Sequence, residues 1–394
     1  MNSRYLYVTV YISRFVYGLN WFSTSTTLPY ISDSLHLDPL EAGFIGTAFY
    51  LGLIPFQIIG GSLASIFGAR KTAIFGLIIM GLFSILSACS SSFIQISIFR
   101  FMTGSGAAMF SSPALALLES IKINNRRTSM TGLYNASFGV GSGIGILLGI
   151  LFSSRSGWEN LLIIDGSLGI GLALIMYKTS IKVANVPQFT DKLPVNAKRF
   201  FSSRIYFISI SAAISTIAEA VIGQEFVYYS SIQYSLKTVY AAIIVASFML
   251  TGLAGGTLMI RNIHRSLHQI RYYSILILVE IFLFFLMPFA FSFVSALVLI
   301  SIMGILTSAC LSITYSLVIE SVKGSDPSLY LGLNNFLQKI ISFSTPALFI
   351  FIGIHYGFST SWDVLGITGL AAFLIFAATS RNEESITTYL SREL

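Results

Sequence analysis

Apolar and polar positions along this chain separate into blocks instead of alternating. Apolar runs of roughly 20 residues, enough for a helix to cross a hydrocarbon layer, lie near 5–30, 42–66, 72–90, 93–118, 128–153, 161–178, 205–231, 238–260, 272–292, 295–319, 329–354 and 362–380. Continuous runs predict helices and argue against a membrane β-barrel, whose strands alternate; a helix also satisfies its own backbone in lipid. The short polar breaks between most runs make consecutive helices antiparallel. One break is longer: Lys178 to Arg204 holds Pro187, Asp191, Pro194 and six basic residues. The pattern therefore predicts an all-α membrane protein of twelve transmembrane helices in two pseudo-symmetric six-helix bundles. Residues 1–180 form the first bundle, 181–204 a cytoplasmic linker, 205–380 the second bundle and 381–394 a cytoplasmic tail.

The two halves echo each other. Gly60 to Lys71 reads GGSLASIFGARK, a short basic turn between apolar runs, and Gly255 to Arg261 reads GGTLMIR, 195 positions later. Glu119-Ser120-Ile121-Lys122 pairs with Glu320-Ser321-Val322-Lys323 at an offset of 201, and Gly132-Leu133-Tyr134-Asn135 with Gly332-Leu333-Asn334-Asn335 at 200. Three ordered matches at half the chain length point to an internal repeat. Paired hydrophobic halves suit a secondary transporter, because a site between two similar bundles can face either side by rocking them.

Composition sharpens this reading. Of the 394 residues 55% are hydrophobic and 10% charged, against about a quarter charged in a soluble domain. The net charge of +7 reports topology, not a nucleic-acid partner. With an inside N-terminus, eighteen of the 23 basic residues fall in inside segments and two, Arg155 and Lys237, in outside loops. This predicts a multi-pass protein of the cell membrane with both termini cytoplasmic. The first apolar run is too long for a cleavable signal peptide and is expected to act as its own insertion signal. Cys89 and Cys310 lie within runs, so neither a disulfide framework nor a metal site is expected. The four His residues lie in or beside loops, and neither a nucleophile with a partnered base nor a phosphate loop is evident, so an enzyme is not expected. Gly139, Gly141, Gly143 and Gly145 imitate a dinucleotide turn but lack the preceding strand. Gly141, Gly145 and Gly149 read instead as a small-residue stripe for helix packing.

An ionisable group near the middle of a membrane span costs at least about 2.5 kcal/mol, so each one calls for a role and a partner. Glu219 lies roughly 20 Å into the seventh run and Lys339 roughly 15 Å into the eleventh. Ser211, Ser215 and Glu219 recur at steps of four, as do Asn335 and Lys339, with Ser342 on the same face and Pro346 placed to kink the helix beyond. We expect Glu219 and Lys339 to face one water-filled space, where a carboxylate can exchange its proton with solvent. Arg14 shares a face with Tyr7, Tyr11, Gly18 and Trp21, which suits an anionic or aromatic solute. Arg100 is a candidate for coupling or cavity lining. Asp165, Glu280 and Glu225 are weaker candidates: the first two able to find local donors, the last near the outer rim.

These residues resemble the major facilitator superfamily over essentially the whole chain. Gly60, Gly61, Leu63, Gly68, Arg70 and Lys71 match the family's loop between helices two and three, whose residues gate conformational change, although Ser65 stands where the family has Asp. Arg100 to Gly106 matches the helix-four pattern RxxxGxG, in which the Arg is tied to proton transfer. Gly132, Gly141, Gly145 and Gly149 follow the helix-five spacing of antiporters, with Ile146 and Ile150 departing from it. The resemblance implies an alternating-access transporter of a small-molecule substrate, proton-coupled and exporting. It implies no cofactor, a proton gradient as the energy source, protons and the lipid bilayer as partners, and a monomer. Uptake symport or uniport, or a nontransporting membrane sensor, are the alternatives.

Overall fold

A computed structural model describes residues 2–37, 39–120, 127–155, 157–181, 204–233, 238–258, 266–290, 292–321 and 327–390. Residues 182–203, nearly all of the expected linker, and the end of the expected tail, 391–394, lie outside the described residues. Among those described there is no strand. The helices are α1 (Asn2–Leu35), α2 (Pro39–Phe67), α3 (Ala69–Ala88), α4 (Phe93–Ser120), α5 (Arg127–Arg155), α6 (Trp158–Ile181), α7 (Arg204–Gln233), α8 (Thr238–Leu258), α9 (Ser266–Leu286), α10 (Phe293–Ser321), α11 (Ser328–Ser342), α12 (Thr345–Tyr356) and α13 (Phe358–Leu390).

Eleven stretches of these helices are long and apolar enough to cross a membrane. The helix α1 has the length but is more polar. Its Asn20, Ser23, Thr24 and Thr27 are all buried. Their polar atoms are largely absorbed inside the protein: Thr24 and Thr27 donate back to the carbonyls of Asn20 and Thr24, at 3.3 and 3.1 Å, and Asn20 Nδ2 donates to Ser84 Oγ on α3 at 2.8 Å. Such bonding lets a polar helix sit at membrane depth, since these groups find partners inside the protein.

Three sequence expectations change. The GGSLASIFGARK segment is not a loop: α2 runs unbroken to Phe67, and the turn is the single residue Gly68, whose φ of 93° a side chain would disfavour. Gly60 and Gly61 are helical and serve close approach, to α4 and α11. Arg70 donates to the Tyr177 carbonyl at 3.4 Å, and Lys71 is exposed. Ser65, where the family has Asp, donates back to the Gly61 carbonyl at 3.2 Å. Secondly, the kink expected at Pro346 goes further and divides the eleventh apolar run into two helices. Pro346 lacks an N–H and its ring would collide with the Ser342 carbonyl, so α11 ends at Ser342 and α12 starts anew at Thr345. Thirdly, the serines of α7 diverge from Glu219. Eight residues advance a helix by about 80° beyond whole turns, so Ser211 and Ser215 bond Tyr273 and Glu280 on α9 while Glu219 turns toward α11.

The helix pairs cross-pack between the halves of the chain: α5 lies along α8 and α10, and α2 along α11. Within the first half, Gly141, Gly145 and Gly149 line the seam of α5 with α1. A Cβ on Gly141 would stand 1.9 Å from the Phe15 carbonyl oxygen, and one on Gly145 2.6 Å from that of Leu19. A Cβ on Gly149 would meet Thr26 Oγ1. Lipid tails are as apolar as the side chains, so such close backbone packing holds the helices together.

Candidate functional site

Where the two halves meet, α1, α2, α4, α5, α7, α8, α10 and α11 enclose a cavity of about 60 Å³. It has room for a few waters. Arg14, Trp21, Glu219, Asn335 and Lys339, widely separated in sequence, all line it.

Glu219 and Lys339 form an ion pair across α7 and α11, Nζ to Oε2 2.9 Å, with side chains 10% and 14% exposed. Lys339 Nζ also lies 5.1 Å from the centre of the Trp21 ring, a cation–π contact linking the second half to α1. Trp21 stacks on Phe22 and meets Tyr17, Phe49, Tyr50 and Phe138. The guanidinium of Arg14 is 6% exposed and lies 4.4 to 4.6 Å from the ring centres of Tyr17, Tyr134 and Phe138.

Arg100 is a candidate for coupling or for cavity lining, and its position bears on the second. It is buried beside the cavity, not in its wall, with its guanidinium 4.8 Å from the Phe49 ring. It interacts electrostatically with Asp165 of α6, and that carboxylate accepts from Ser23 Oγ at 2.7 Å. Most of α4 is buried, so the RxxxGxG spacing carries no information on which way Arg100 faces. Glu280 is fully buried on α9 and accepts from Ser215 at 2.7 Å and Thr307 at 2.5 Å. Thr307 itself lines the cavity, which puts Glu280 one side chain behind the wall. Glu225 lies on α7 six residues beyond Glu219 and outside the lining.

A set of neutral polar residues also joins the two halves. Asn135 Nδ2 donates to Ser312 Oγ at 3.1 Å, and Asn335 Nδ2 donates to Ser112 Oγ at 3.0 Å. Both bonds join opposite halves, and both members of one pair sit 200 positions from those of the other. Thr131 donates to the Ser312 carbonyl at 2.9 Å, Ser111 and Ser112 to Gln57 Oε1 at 3.2 and 3.3 Å, and Tyr315 to Asn335 Oδ1 at 2.9 Å. Close backbone approach completes this seal, with Gly132 against Gly256 and Gly332 against Gln57. These contacts lie toward the face where α4 turns into α5 and α10 into α11. On the other side of the cavity the halves meet through aromatic contacts, Tyr50 with Phe343 at 6.3 Å and Phe22 against Gly223. The repeat GLYN and GLNN contained both asparagines, and was the sequence signal for this seal.

The fold and this central site define a class, the helical carriers built from two similar halves. The model of the Major Facilitator Superfamily matches residues 10–346, and the chain belongs to that superfamily. It is a multi-pass membrane protein. Among curated relatives it is 31% identical over 172 residues to the multidrug efflux protein YfmO of Bacillus subtilis (strain 168), covering 44% of this chain and 40% of that protein. It is 30% identical over 146 residues to a methylenomycin A resistance protein of Streptomyces coelicolor, covering 36% and 31%. The matches thus span less than half the length of these relatives. Its fold is similar to that of the proton:xylose symporter XylE bound to 6-bromo-6-deoxy-D-glucose, with a TM-score of 0.76 and 13% identity over 96% of each chain.

Proposed function

We propose that the chain is a secondary transporter that moves a small organic solute by alternating access, coupled to protons through Glu219. The observation that carries this reading is the Glu219–Lys339 ion pair inside the central cavity. Ionised, Glu219 ties α7 to α11 and holds the Lys339 ammonium. Protonated, it loses its charge and frees the lysine, so each protonation state favours a different packing of α7 against α11. Rocking would exchange the polar seal of Asn135, Asn335, Ser112 and Ser312 for contacts at the opposite face. In this reading residues 1–180 and 205–380 move as two bundles joined by 181–204, and the positive segments support cytoplasmic termini and a cytoplasmic position for the sealed face. Gly60, Gly61, Gly68, Arg70 and Lys71 act in gating, through the packing of α2 on α11 and the turn at Gly68.

The helix-five spacing at Gly132, Gly141, Gly145 and Gly149 and the efflux relatives support export in exchange for protons. The departures from that spacing at Ile146 and Ile150 support a second reading, uptake in which solute and proton move together. Purified protein in liposomes separates the two. Export by exchange predicts that solute accumulates on the more acidic side of an imposed pH gradient, and co-transport predicts the more alkaline side. Flux indifferent to the gradient would remove proton coupling, and absence of flux for every solute tried would favour a sensor.

A further inference from the structure

The charges lining the cavity do not cancel. Among the described residues they are Arg14, Lys339 and Glu219. Glu219 is committed to Lys339 at 2.9 Å, which leaves one guanidinium in excess. Arg14 Nε and Nη1 are buried and have no hydrogen-bond partner among the described residues. The three aromatic rings around this guanidinium offset part of its charge. Tyr134 also shares a side-chain hydrogen bond with Arg14, but none of the three provides a carboxylate, and Nε and Nη1 stay without an acceptor. A buried charge-bearing donor left without an acceptor is costly, and a solute can remove that cost.

Resting on the transport reading and extending it to substrate class, we propose that Arg14 is the anion-binding residue of the cavity and that the solute is a monoanion, such as a carboxylate, with a flat apolar body. A planar carboxylate matches the in-plane donors of guanidinium. One negative charge neutralises the site, whereas a cation would raise its net charge to two. Tyr17, Trp21, Phe138, Phe248 and Leu311 form an aromatic and aliphatic part of the wall that suits an apolar body, beside amides and hydroxyls such as Asn135 and Ser308 that can meet its polar edge. In a cavity of about 60 Å³ such a body does not fit, so binding belongs to a wider arrangement of the same walls.

Isothermal titration of the purified full-length chain with benzoate, its neutral isostere benzamide and the cation benzylamine tests this at one fixed pH. Benzoate is expected to bind saturably and at least about ten-fold more tightly than benzamide, the worth of a charge-assisted hydrogen bond. Benzylamine is expected to bind worst. Arg14→Gln should erase the preference for benzoate and Arg14→Lys should keep part of it. If Arg14→Gln fails to fold, the comparison on the unaltered protein still decides. No saturable benzoate binding, equal binding of benzamide, or a preference that survives in Arg14→Gln would overturn the proposal. Flux in liposomes keeps the two ideas apart. Benzoate bound but never carried would retire transport and retain the anion site, while gradient-driven flux of uncharged solutes with no benzoate binding would do the reverse.

Discussion

Replacing Glu219 by glutamine is expected to abolish gradient-driven accumulation in liposomes while leaving exchange of solute down its own gradient. Glutamine keeps the shape and can still accept a hydrogen bond from Lys339, but it cannot carry a proton across. A gradient of one pH unit holds about 1.4 kcal/mol per proton, so a carrier coupled one to one concentrates its solute up to about ten-fold. The variant should bring that ratio to about one. It also leaves the Lys339 ammonium unpaired at a largely buried site, a change that costs about 3 kcal/mol or more when no water replaces the lost partner. A lowered melting temperature is therefore expected alongside the lost coupling, and exchange assays distinguish this from simple unfolding. Undiminished uphill accumulation in Glu219→Gln would rule this carboxylate out as the coupling group.

The second large effect is structural. Gly141→Ala places a methyl group 1.9 Å from the Phe15 carbonyl oxygen, where neither backbone has a rotamer with which to yield. The α1–α5 seam must open, and overpacking of this kind costs about 1–3 kcal/mol in side-chain cores and more against backbone. Gly171→Ala provides the matched control, since its methyl would meet nothing within 4 Å, and alanine favours helix over glycine by about 1 kcal/mol. In detergent, Gly141→Ala is expected to melt several degrees lower than the parent chain, and Gly171→Ala at the same temperature or higher. Equal melting of the two variants would show that the seam is looser than this packing requires.

How far the sequence disclosed this site depends on the kind of residue. Glu219 and Lys339 stood out because a charge inside a lipid-length apolar run is costly, and the same cost brings the two together at 2.9 Å. Arg14 and Trp21 were legible as one face of α1 for a related reason, although Gly18 of that face packs against the Phe138 carbonyl. Neutral polar residues have no such contrast. Ser111, Ser112 and Tyr315 look like the many hydroxyls that bond their own helix, as Thr103 does to Phe99, and the Gln57 amide carries no charge to mark it. Helix rotation was the other hidden quantity. Hydropathy placed Arg100 at the right depth and left its direction open, and α4 is surrounded closely enough that no exposed face marks its orientation. The helix break near Pro346 was legible from proline chemistry, whereas the unbroken run of α2 through Gly60 and Gly61 required knowing that α4 and α11 press against it.

The central claim is that one cavity opens in turn to each side of the membrane. With Cys89 and Cys310 replaced by serine, Met249→Cys puts a single thiol in the cavity wall, and a membrane-impermeant maleimide can be presented to either face of sealed vesicles. The account predicts labelling from both faces, with an imposed pH gradient raising one rate and lowering the other. Labelling from one face alone under every gradient would contradict it.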